Sequence, residues 1–256
     1  MTGVLRLVIA GAVIVLLGRA ARAAWRNRRV AVAVWQRIRL RHVAGSVMLL
    51  TLVLVVAVTL SDLVPVTNFG LGSLVGLHGN AIFAPIEEIA DRAPGVSPGA
   101  AGEPSADGAP RPDDSFAWVG RAAVGAFLLL LLALFPWLAY VEEHAFRAGL
   151  ERAGPVRQIL SALRFGLVHL VMLIPLFAAL AVAVAGFVYG LIYRAAFRRA
   201  ERRQLAVAGP FPNTAGVAVS QRQARAEALL ASTVWHTTFN SLIALLVLVG
   251  YLLAGL

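Results

Sequence analysis

Residues 165 to 193 read FGLVHLVMLIPLFAALAVAVAGFVYGLIY, a run of 29 residues with no Asp, Glu, Lys or Arg. As one helix it would reach about 43 Å at 1.5 Å per residue, too long for a hydrocarbon core about 30 Å thick unless strongly tilted. Pro175 offers a natural break. The choice between one crossing and a hairpin turning near Pro175 decides the fold, because it fixes the side on which everything C-terminal lies. A single crossing separates Arg194, Arg198, Arg199, Arg202, Arg203, Arg222 and Arg225 from Arg147, Arg152, Arg157 and Arg164. A hairpin returns both groups to one side, in keeping with the retention of arginine-rich segments in the cytoplasm. The sequence therefore predicts a hairpin.

Further apolar stretches run over residues 2 to 17, 43 to 60, 122 to 140 and 229 to 255. With the hairpin they make an all-α polytopic membrane bundle of about six membrane helices. The first stretch, interrupted by Arg6, could be read as a signal peptide with Ala21-Arg22-Ala23 as a small-residue cleavage site. Eight arginines between residues 18 and 42 follow it and reverse the charge order of an exported signal, so we read it as a retained helix. The N-terminus then lies outside, and residues 61 to 116, which are acidic, return to the external face. Within them, residues 92 to 115 hold five prolines and four glycines and almost no large apolar side chain. Such a segment cannot offset its ordering entropy, so it is expected to be a flexible external linker between residues 1–91 and a membrane domain over 116–256.

Composition supports the same class. The chain is 59% hydrophobic and 14% charged, with mean hydropathy +0.79, which excludes a water-soluble enzyme. The absence of cysteine excludes disulfides and thiolate catalysis. A net charge of +10 would suggest nucleic acid in a soluble protein. Here all the basic residues except Arg6, Arg92, Arg111 and Arg121 fall in the inferred cytoplasmic segments, so topology accounts for the charge and no nucleic-acid partner is expected.

Ionisable and strongly polar groups at membrane depth are costly and mark functional sites. Three clusters qualify. Glu142-Glu143-His144-Ala145-Phe146-Arg147 closes the third long span; Glu143 and Arg147 share a helix face, whereas Glu142 is turned about 100° away and stays free. Phe165 and His169 stand four apart at the start of the hairpin stretch, and His236 and Asn240 stand four apart in the last span. Taken singly, each has a plain explanation: a salt-bridged helix end, a packed histidine, and polar pairing between helices. Glu87-Glu88-Ile89-Ala90-Asp91-Arg92 repeats the first pattern beside the external linker and is read as a decoy. In the topology drawn from arginines, the three clusters all fall in the cytoplasmic third of the bundle, where one pocket could collect them.

The ordered set Glu-Glu-x-x-x-Arg, Phe-x-x-x-His and His-x-x-x-Asn, present here as EEHAFR from Glu142, FGLVH from Phe165 and HTTFN from His236, resembles the CPBP or Abi intramembrane proteases. That family includes the type II CAAX prenyl proteases. The resemblance covers roughly residues 116 to 256 and implies an endopeptidase acting on a membrane-associated or lipidated protein or peptide, in the cell membrane, with its site toward the cytoplasm. It casts Glu142 as the general base for a hydrolytic water, His169 as holder of that water, and His236 and Asn240 as oxyanion donors. Glu143 and Arg147 hold the base in place, and Phe165 supports them. No cofactor is expected; zinc, if present, would be held by His169 and His236. The competing classes are a non-catalytic immunity or scaffold protein, in which these residues only pair helices, and a proton-coupled transporter.

Overall fold

The computed structural model describes residues 2–74, 117–208 and 214–254. Seven helices carry the architecture: α1 (Thr2–Arg26), α2 (Arg28–Trp35), α3 (Leu40–Leu63), α4 (Ala117–Arg147), α5 (Pro155–Val168), α6 (Leu176–Ala208) and α7 (Thr214–Ala254). Single 3-10 turns follow α3 (Pro65–Asn68) and α5 (His169–Met172), and a one-turn helix spans Leu71–Leu74. There is no strand among the described residues. Five helices, α1, α3, α4, α6 and α7, are long and apolar enough to cross a membrane. The protein is an all-α polytopic membrane bundle, the architecture that satisfies every backbone group within its own helix.

The chain reverses at residues 173–175. Leu173 adopts the left-handed conformation (φ 64°), and Pro175, which has no N–H to donate, opens α6. The hairpin has a longer first arm than the apolar pattern indicates. It begins at Pro155, ten residues before Phe165, where Gly154 precedes a proline at the first helical position. Its 14 helical residues and four 3-10 residues reach about 29 Å. Arg157 and Arg164 on its exposed side hide this arm from a hydropathy reading. The two arms are antiparallel and close: Gly166 lies against Ala179 and Ala183, Gly186 against the Phe165 ring, and Gly190 against Gln158.

The hairpin turn is pinned to the end of α3. Leu176 N–H donates to the Phe69 carbonyl at 2.9 Å, and Gly70 bridges Pro175. At the other end of α3, His42 meets Trp235 edge-on with ring centroids 5.1 Å apart. Helices α6 and α7, with 33 and 41 residues, run about 50 and 60 Å, well past a hydrocarbon core. Their excess pairs on the arginine-rich side. Arg203 meets Glu227 at 2.7 Å, Arg225 meets Glu151 at 2.9 Å, and Tyr193 donates to Glu151 at 2.8 Å. Leu150, Tyr193, Phe197, Ala200, Ala224 and Ala228 are buried between these helices and the loop after α4. The last helix therefore starts at Thr214, ahead of the apolar stretch that begins at residue 229.

A second core joins Leu49 and Val53 of α3 to Phe165, to Ala181, Ala185 and Tyr189 of α6, and to Phe239 of α7. The linker over 92–115 and the Glu87–Arg92 repeat lie outside the described residues. On either side of them, α3 and the helices after residue 116 share this one core. A methyl group at Gly166 would meet the Ala179 carbonyl and stand 2.6 Å from Ala183 Cβ. Gly166→Ala should cost about 1–3 kcal/mol, whereas Gly125→Ala, with nothing within 4 Å, should leave thermal unfolding in detergent unchanged.

Candidate active site

The last turns of α4 send two neighbouring carboxylates in different directions. Glu143 points into the bundle and is 0% exposed, as is Arg147 one turn later. Three donors converge on it. Arg147 Nε–H donates to Oε2 at 3.1 Å, the Ser232 hydroxyl donates to the same oxygen, and His236 Nδ1–H donates to Oε1 at 3.1 Å. A carboxylate stripped of water needs such partners, because an unpaired charge at this depth is strongly unfavourable. Ser232 also approaches the Tyr189 carbonyl at 3.3 Å, so Glu143 ties α4, α6 and α7 together.

This bonding fixes the orientation of His236. Its Nδ1 edge is committed to Glu143, which leaves Nε2 as its working edge. Nε2 faces Glu142 Oε2 at 3.6 Å. That oxygen is buried and has no hydrogen-bond partner, while the Glu142 side chain as a whole stays 31% exposed. The site thus presents a carboxylate oxygen without a donor and an imidazole edge aimed at it.

Aromatic rings wall this pair. The Phe165 ring meets Phe146, His169 and His236 edge-on at 5.3, 5.0 and 5.5 Å, and the Arg147 guanidinium lies 4.9 Å over its face. Tyr189 stacks on His236 at 4.8 Å with an interplanar angle of 20°. The structure therefore brings together Glu142, Glu143, Arg147, Phe165 and His236 from α4, α5 and α7. His169 is one ring removed: it contacts Phe165, and its Nδ1–H donates to the Phe165 carbonyl at 2.7 Å, leaving Nε2 free. Asn240 lies one turn beyond His236, half-buried, without a hydrogen bond to any described residue.

Zinc would need His169 and His236 to turn toward a common point. They meet the same Phe165 ring and not each other, and among the described residues no three His, Asp or Glu side chains are placed to hold a metal ion. Two participants escaped the sequence reading. Ser232 precedes His236 by four residues on the same face, so helical spacing could have found it. Tyr189 is the sole hydrogen-bonding side chain between Leu176 and Ile192.

The two glutamates should respond very differently to loss of charge. Glu143→Gln leaves Arg147 buried without its counter-ion and should lower stability by about 3–5 kcal/mol. Glu142→Gln, which removes no hydrogen bond, should change it by less than about 0.5 kcal/mol. Thermal unfolding of the purified variants in detergent measures both. Comparison with protein-family models, curated proteins and solved structures returns no match for this chain.

Proposed function

We propose that the protein is an intramembrane endopeptidase of the CPBP type, hydrolysing a peptide bond of a membrane-associated or lipidated protein or peptide. One observation carries this reading. Glu142 holds a buried, unpartnered carboxylate oxygen 3.6 Å from the Nε2 edge of His236, and Glu143 holds that imidazole from behind. A carboxylate oxygen left without a donor beside an imidazole edge suits a general base, which must be free to take a proton.

In this reading Glu142 takes a proton from water as the oxygen attacks the peptide carbonyl carbon, then returns the proton to the departing amine. His169 steadies the water through its free Nε2. His236, gripped at Nδ1 by Glu143, donates to the oxyanion from Nε2–H in its doubly protonated form, together with the Asn240 amide, where a dry setting strengthens each hydrogen bond. Glu143 and Arg147 are positioning residues. The scaffold reading would make all these side chains structural, with no use for a donor-free Glu142 oxygen, and a transporter would use Glu142 and His236 as a relay, which would show as proton-coupled flux in liposomes.

The arginine-rich ends of α6 and α7 favour a cell-membrane orientation in which the site faces the cytoplasm. Arg199→Cys, in a chain that has no native cysteine, should react with a membrane-impermeant maleimide only from the cytoplasmic side. In proteoliposomes, Glu142→Gln should lower cleavage of a membrane-peptide library by at least about 10²-fold. Wild-type fragments would then be missing from the variant's digest. With glutamate and not a metal ion activating the water, activity should persist after chelation with phenanthroline. Equal digests from wild type and Glu142→Gln would overturn the assignment.

A further inference from the structure

We propose that Tyr189 is a further catalytic residue of this site, its phenolic O–H donating a hydrogen bond to the oxyanion alongside Asn240 and His236. The inference rests on the protease reading and extends it to a residue outside the three motifs. Tyr189 is 1% exposed, and its hydroxyl has no hydrogen-bond partner. A buried phenol without a partner is costly, and tyrosine in an apolar interior ordinarily finds one. Phenylalanine would fill the same space without that cost.

The position is tied to the reacting groups twice. Its ring lies face to face on His236 at 4.8 Å. Its carbonyl is approached by Ser232, the same hydroxyl that donates to Glu143. Phe165 and Phe239 meet the ring edge-on, both at 6.3 Å, and hold it in place. The phenol ring is therefore held against the imidazole, with a donor that the resting protein leaves unused.

Of the roles a neutral phenol can take here, donation to developing negative charge suits it best. Its hydroxyl is a weak base when neutral, and it forms no hydrogen bond in the resting protein. During the reaction the water oxygen bonds to the carbonyl carbon, the carbonyl π electrons move to oxygen, and Glu142 takes the proton. Tyr189 donates a hydrogen bond to that oxygen and keeps its own proton throughout. When the carbonyl re-forms, the C–N bond breaks and the amine leaves with the proton from Glu142.

The test is Tyr189→Phe in proteoliposomes, with a transmembrane reporter peptide that wild-type protein cleaves. The ring and its stack on His236 are kept, so thermal stability should match wild type and KM should stay within about twofold, while kcat falls about 10²-fold, as for loss of one oxyanion donor. Weaker binding of a matching peptide aldehyde, whose tetrahedral hydrate mimics the intermediate, should accompany the fall. A kcat within about threefold of wild type would overturn the inference and leave the protease reading standing. A loss of kcat matched by a loss of thermal stability would assign Tyr189 a packing role and overturn it too. No cleavage of any peptide by wild type would remove both proposals together.

Discussion

The structure depends on the charge of Glu143 being satisfied away from water. A carboxylate at this depth is tolerable only if its oxygens are occupied, and the occupants come from three places: Arg147 on its own helix, and Ser232 and His236 one turn apart on α7. The Ser232 hydroxyl carries the connection to the α6 backbone. Helices in lipid gain little from apolar contact with one another, because the tails are as apolar as leucine, so polar contacts and close packing set their register. Glu143 supplies the first and the glycines facing α5 and α6 supply the second. Together they set how α4 through α7 are stacked.

The same constraint separates the roles of two adjacent glutamates. A helix advances about 100° per residue, so neighbours cannot face the same partners. Glu143 takes the interior with all its donors, and Glu142 is left at the rim with one oxygen buried and none of them. The donors that satisfy Glu143 face away from Glu142, whose buried oxygen keeps its lone pairs unused. Because Glu143 also takes the Nδ1 edge of His236, the imidazole is turned so that its remaining edge meets Glu142.

Much of this was legible in the sequence. The hairpin followed from excess length and from arginines on both sides of it, and its reversal at residues 173–175 agrees with Pro175. The facing of Glu143 toward Arg147 followed from helical spacing alone. The start of the first hairpin arm was not legible, because Arg157 and Arg164 interrupt its hydropathy while Gln158 and Ala162 on the other side are buried. Nor was the length of α6 and α7, whose outer turns are charged and are held by ion pairs between segments remote in the chain. Ser232 was recoverable from spacing. Tyr189 needed the partner helix, since a tyrosine in an apolar run is ambiguous until its neighbour is known to be histidine.

His169 and Asn240 show where pattern and geometry part. Neither makes a hydrogen bond to Glu142 or His236. His169 spends one nitrogen on the Phe165 carbonyl, which would otherwise lack a partner at the end of α5. That bond gives the residue a complete structural explanation for one edge and none for the other. Asn240 has no such explanation, being half-buried with its amide unbonded. A hydrolytic site requires groups kept ready for a water and a carbonyl that arrive only with the substrate, and catalytic hydrogen bonds often close only in that complex. On the proposed reading Glu142, Tyr189, Asn240 and the free edge of His169 are such groups, whereas the Arg147 Nε–H, the Ser232 hydroxyl and the Nδ1 edge of His236 are already committed to Glu143. On that reading, the contrast between the occupied oxygens of Glu143 and the donor-free oxygen of Glu142 adds to what the motif spacing implies.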